Sequence, residues 1–103
     1  MPPRTVQFVT TAGQFYEDTS FATGDSPLVI EVRDDLSNKP GQAGWFINDG
    51  AGDIQIAMQN NEQSGYGDNI TTKSGEMYQL NGLNIRRFRI TWVADSAYRF
   101  YIS

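Results

Sequence analysis

The stretch Gly75-Glu76-Met77-Tyr78-Gln79-Leu80-Asn81-Gly82-Leu83-Asn84-Ile85-Arg86-Arg87-Phe88-Arg89-Ile90-Thr91-Trp92 decides the fold class, because its apolar residues recur with period two and then change face. Asn-Gly accepts positive φ at both residues and is the preferred two-residue type I′ turn. The stretch therefore predicts a hairpin that pairs Leu80 with Leu83, Tyr78 with Ile85 and Glu76 with Arg87. Downstream, Phe88, Ile90 and Trp92 share one face, whereas the hairpin puts Leu83, Ile85 and Arg87 on one face. One strand cannot keep both sets inside, so a β-bulge or a sheet-crossing bend is expected near Arg86-Arg87. A three-residue turn at Ala94-Asp95-Ser96 would then pair Trp92 with Tyr98, Ile90 with Phe100 and Phe88 with Ile102. Aromatic and β-branched pairs of this kind contribute about 0.2–1 kcal/mol each.

Working back toward the N-terminus, the same period recurs. Val6 and Phe8 alternate with Gln7 and Val9 in a strand expected over 5–10, and Leu28, Ile30 and Val32 share a face over 28–33. The connection between them, 11–27, is rich in Gly, Ser and Thr, with a short strand expected around Phe15 and Tyr16. An exposed loop over 34–44 leads into Trp45-Phe46-Ile47. Asn48-Asp49-Gly50-Ala51-Gly52-Asp53 reads as the turn of a second hairpin, followed by the alternation Ile54, Ile56, Met58. A polar loop over 59–68 precedes a short strand over 69–72. No segment keeps a 3.6-residue period for the roughly 11 residues of an average helix. The expectation is an all-β chain: a single-domain antiparallel β-sandwich of about eight short strands over 1–103, jelly-roll or Greek-key-like, with long loops and no substantial helix.

Composition sets the limits on function. The 103 residues suffice for one core and a shallow binding surface rather than a deep enzyme pocket. With 39% hydrophobic and 13% aromatic residues the chain is too rich in core formers to be disordered. It contains no His and no Cys, which removes Ser-His-Asp and Cys-His catalysis, thiol redox chemistry, disulfides and structural zinc sites. The net charge of −4 argues against a nucleic-acid partner, and no apolar run approaches the ~20 residues that span a bilayer. Met1-Pro2-Pro3-Arg4 lacks the basic-then-apolar order of a signal peptide, so synthesis in a cytoplasm is expected.

The charge is unevenly placed. Between Glu17 and Asp68 ten carboxylates face only Arg33 and Lys39, a balance of −8, whereas from Asn69 onward five cations face Glu76 and Asp95, a balance of +3. Either the acidic loops and the basic strands meet within one fold, or an acidic face and a basic face meet between copies.

Candidate chemistry follows from these residues. Asp34-Asp35 and the pair Asp49 and Asp53 could serve glycoside hydrolysis, but both lie in expected turns, where Asp is favoured for backbone geometry alone. The run 48–53 offers oxygen ligands without the alternation of an EF-hand loop. No catalytic residue, metal site or cofactor is therefore assigned. Trp45, Tyr16, Tyr66 and Tyr78 could form an aromatic platform for a sugar ring, unless Trp45 and Trp92 belong to the core. Tyr66, flanked by glycines in Ser64-Gly65-Tyr66-Gly67-Asp68, is the aromatic most open to a partner. Arg86 and Arg87 suit ion pairing or a partner contact, and Pro2, Pro3 and Arg4 suit a stiff, extended N-terminal arm over 1–4.

The run from Gly75 to Ile85, followed by Asp95-Ser96-Ala97-Tyr98-Arg99-Phe100, resembles small virion structural proteins of tailed bacteriophages, in which "G-E-x-[aromatic]-x-L-x-G-L-x-I … D-S-A-Y-R" closes a β-domain. The resemblance covers about the last thirty residues and carries over fold positions only. It implies a non-enzymatic β-domain that decorates or cements a capsid, or forms part of a tail or fibre. The expected partners are then the major capsid protein, other virion proteins and further copies of the chain, a trimer being one arrangement. The rival expectation is a carbohydrate- or receptor-binding module, for which a glycan would be the partner.

Overall fold

The computed structural model describes residues 13–60 and 65–103. Eight strands are described: β1 (Gln14–Phe21), β2 (Leu28–Glu31), β3 (Gly41–Asn48), β4 (Ile54–Gln59), β5 (Ile70–Thr72), β6 (Met77–Ile85), β7 (Arg87–Trp92) and β8 (Ser96–Ile102). The only helical elements among the described residues are a 3-10 turn at Thr23–Asp25 and one α turn, α1 (Val32–Asp35). The strand expected over 5–10 and the arm residues Pro2, Pro3 and Arg4 lie outside the described residues.

The strands form two four-stranded sheets, β1-β8-β3-β6 (sheet I) and β2-β7-β4-β5 (sheet II), with every neighbouring pair antiparallel. Strand 1 pairs with 8, 2 with 7, 3 with 6 and 4 with 5, and successive pairs alternate between the sheets. This is the jelly-roll order, a long antiparallel ribbon wrapped on itself into a sandwich.

Alternation along each strand builds the core. Phe46, Phe100, Tyr98 and Ile102 face inward from sheet I, and Phe88, Ile90, Ile54 and Ile56 face them from sheet II, all buried. Phe88 and Phe100 stack across the two sheets with ring centroids 4.1 Å apart and planes 18° from parallel. Phe46 packs against Phe88 at 5.8 Å and against Tyr98 at 5.5 Å, so aromatic rings fill the middle of the sandwich. Val32 and Leu36, in and just after α1, close one end of the core.

The expected bend near Arg86-Arg87 is present, because the chain leaves sheet I at Ile85 and enters sheet II at Arg87. The step lets Leu80 and Ile85 point inward from one sheet and Phe88 and Ile90 from the other. Backbone bonds hold the corner: Arg86 N–H donates to Gln59 O, and Val32 N–H donates to Arg86 O.

Three expected hairpins are not hairpins. Asn81-Gly82 lies inside β6, which pairs with β3 through Gly44↔Leu80 and Ala43↔Asn81 and again at Gly41↔Ile85. Three residues of β6 thus oppose Gln42 alone, and Gly82, at φ +68, absorbs the excess as a bulge. The positive φ that suits Asn-Gly to a type I′ turn suits it equally to a bulge. The run 48–53 and the run 93–95 each carry the chain from one sheet to the other rather than back along the same one. Trp92 therefore pairs with Ile54, and Tyr98 pairs with Asp18 and Asn48. The short strand around Phe15 is instead the eight-residue β1, and the loop expected over 34–44 is shortened by α1 and by the start of β3 at Gly41.

Candidate functional site

The alternation that sends Tyr16, Phe100 and Phe46 inward sends their neighbours Phe15, Tyr101 and Trp45 outward. The register sets these three side by side across β1, β8 and β3, with Gln79 of β6 next in the row. Phe15 meets Trp45 edge-on, with centroids 6.1 Å apart and planes at 61°, and Trp45 stacks on Tyr101 at 6.2 Å and 25°. The adjacent outward row is Glu17, Arg99, Ile47 and Met77. Phe15 is 52% exposed and Met77 58% exposed, the two most open of the four exposed large hydrophobic residues among those described. Trp45, read from the sequence as either a platform residue or part of the core, is half-buried on this outer face, because the inward position beside it is taken by Phe46. The outer face of sheet I is thus an aromatic and aliphatic stripe bordered by polar side chains.

One border is charged. Arg99 donates from Nε to Asp49 Oδ2 at 2.5 Å and from a terminal nitrogen to Asp49 Oδ1 at 3.0 Å. This paired bond holds the Asp49 carboxyl below its ordinary range and raises the Arg99 guanidinium. On sheet II, Arg87 donates to Glu31 at 2.5 Å and to Gln59 at 3.1 Å. Both ion pairs join the basic C-terminal strands to the acidic middle of the chain, so acidic and basic regions meet within the fold.

The other residues singled out from the sequence lie apart from the stripe. Tyr66 is half-buried beneath the Arg89 guanidinium, whose carbon sits 4.2 Å from the ring centroid on the outer side of sheet II. Arg86 is half-buried at the sheet-crossing corner, and Arg87 starts β7 beside it. Tyr16 faces inward, stacked on Phe100 at 5.4 Å, with its hydroxyl donating to Asp35 Oδ2 at 2.5 Å. Tyr78 packs against the core, and Trp92 does so while donating from Nε1 to Asp95. Tyr16, Trp45, Tyr66 and Tyr78 therefore form no common platform, because strand parity and sheet assignment direct them to different surfaces. Phe15 and Tyr101, which complete the stripe, were missed by sequence reasoning. Their signal was available in outward positions flanking Tyr16 and Phe100, but reading it requires knowing which strands are neighbours.

Asn48 organises the far end of the sandwich. Its amide nitrogen donates to Gly52 O at 2.7 Å and to Thr72 O at 2.8 Å, and its oxygen accepts from Gly50 N–H at 3.0 Å and Ser96 Oγ at 2.7 Å. It is fully buried and uses both donors and both lone pairs. A Cβ on Gly50 would lie 2.4 Å from the Ala97 nitrogen, so close approach requires glycine there. The run 48–53 is thus accounted for by the architecture it holds in place.

No family model matches the chain, and no curated protein or solved structure matches it.

Proposed function

We propose that the chain is a non-enzymatic structural protein of a phage virion, a capsid decoration or cement protein that stabilises the head through repeated contacts with the major capsid protein. The observation that carries this reading is the outward-facing stripe on sheet I, in which exposed Phe15 and Met77 flank half-buried Trp45, Tyr101 and Ile47. Aromatic residues, Met and Arg, which this face combines, are the side chains enriched at protein–protein contacts. The jelly-roll order serves capsid and lectin domains alike, so the fold alone does not choose between them. The rings favour the protein contact: a sugar platform presents its faces in one plane, whereas Phe15 stands at 61° to Trp45. A small domain repeated over a particle gains avidity from many such contacts, in a homo-oligomer or as single copies. The protein would be made in the host cytoplasm and act in the virion.

The test is binding to particles assembled without the chain. Phe15→Ser combined with Met77→Ser changes two side chains more than half exposed and should leave the fold intact. The expected result is loss of particle binding with an unchanged denaturation midpoint. Undiminished binding by this variant would remove the stripe from the interface. Deleting residues 1–4 should weaken binding if the N-terminal arm also contacts neighbours.

A further inference from the structure

At the end of the sandwich closed by Leu36, a cleft of about 340 Å³ opens between the start of β1, the segment following α1 and the start of β3. Its polar lining is mixed. Gln14 and Gln42 each bring an amide that both donates and accepts, Asp35 a carboxylate, Lys39 an ammonium group, and Ser37 and Ser103 hydroxyls. Leu36, Pro40 and the aliphatic stems of the longer side chains supply an apolar part of comparable extent. The Tyr16 hydroxyl donates to Asp35 Oδ2 at 2.5 Å and fixes the carboxylate, while Oδ1 has no partner among the described residues. The backbone beside it is also set in place, with Ser37 at φ 54 and Asn38 at φ 67, held by Asn38 N–H to Arg33 O and Arg33 to the Asn38 side chain.

This donor set discriminates among ligand classes. An anion such as phosphate would meet one ammonium beside a carboxylate, so the charges nearly cancel. A divalent cation would meet one carboxylate and a repelling Lys39. A wholly apolar ligand would cover Leu36, Pro40 and the side-chain stems but would strand the amides, the carboxylate and the ammonium group without partners. A polyol ring satisfies the set, because each hydroxyl both donates and accepts, and adjacent hydroxyls match the paired atoms of an amide or carboxylate. The volume lies at the small end of the range for ligand sites.

We propose that this cleft binds one saccharide unit, with Asp35 and the two glutamine amides reading vicinal hydroxyls and Lys39 donating to a ring or hydroxyl oxygen. The site is separate from the aromatic stripe and does not depend on the virion assignment. A structural protein carrying it would present a sugar-binding cleft on the particle surface.

The experiment is a titration of the full-length, folded protein with D-glucose, D-galactose, D-mannose, L-rhamnose, N-acetylglucosamine and N-acetylneuraminic acid, followed by backbone amide shifts. At least one sugar should give saturable millimolar shifts concentrated at Gln14, residues 35–42 and Ser103. Lys39→Ala with Gln42→Ala, both exposed side chains, should weaken that binding about tenfold or more. Asp35→Asn, which retains an acceptor for Tyr16, should also weaken it and leave the fold unchanged. Silence with all six sugars, shifts that persist undiminished in the double variant, or shifts centred instead on Phe15, Trp45 and Tyr101 would each overturn the proposal. The first two outcomes leave particle binding untouched, whereas the third would also count against the stripe as a protein contact.

Discussion

Asn48 ties together three segments with buried side-chain hydrogen bonds: the loop 49–53, the end of β5 at Thr72 and the start of β8 at Ser96. Asn48→Ala leaves several buried polar groups unpaired and opens a cavity, so a loss of about 3 kcal/mol or more is expected, read as a lowered urea midpoint. Asn48→Asp has the same shape, but its second oxygen faces the Gly52 and Thr72 carbonyls, and its cost should be no smaller. Two tyrosines set a pH limit. Burial, then the Asp35 hydrogen bond and charge, raise the Tyr16 hydroxyl far above its ordinary 10.0. Burial, helped by the charges of Asp18 and Asp25, pushes Tyr98 up to about 12. Both hold their protons more tightly folded than unfolded, so their contribution is whole below pH 10 and is lost progressively as pH rises through the folded values. Stability measured from pH 9 to 12 should fall, and Tyr16→Phe should flatten the fall. At the acid end, the depressed Asp49 carboxyl contributes above pH 3.8 and loses its contribution as pH drops through the lower folded value. Both partners are well exposed, so Asp49→Asn should alter the acid limb only slightly, and less in high salt.

Elements show why some local signals were legible and others were not. Period-two alternation identified β7 and β8 directly, because each buries one face and a slip would expose it, and in β4 it holds for Ile54 and Ile56 before Ala57 and Gln59 are buried on the other face as well. The clash of parity at Arg86-Arg87 revealed the sheet crossing, since no continuous strand satisfies both halves. Turn chemistry misled at Asn81-Gly82 and over 48–53, because it reports which φ a residue tolerates and not which strand comes to lie alongside. Two glycine substitutions separate these roles. Gly82→Ala meets open space and suffers only from its positive φ, costing about 1–2 kcal/mol. Gly50→Ala drives a Cβ into the backbone of Ala97 and should cost more, with a displaced β7–β8 connection visible as shifted amide resonances.

For the whole molecule, the all-β class and the two-layer core were legible because period-two segments recur along the chain and none keeps a helical period, whereas the candidate site was not. The stripe is assembled from β1, β8 and β3, and only the jelly-roll order makes Phe15, Tyr101 and Trp45 neighbours. Charge behaves likewise in part: Glu31–Arg87 and Asp49–Arg99 bring the acidic and basic stretches together in space and reduce the balances of −8 and +3 to −6 and +1. Binding carried by the stripe should persist at high ionic strength, in contrast to a contact between charged faces. The central claim is that this sandwich is a repeated structural unit of a particle, and the most direct measurement is its copy number relative to the major capsid protein in purified virions, by quantitative mass spectrometry. The account predicts a fixed stoichiometric ratio with many copies per particle. Absence from the particles, with the protein recovered only in the free fraction, would contradict it.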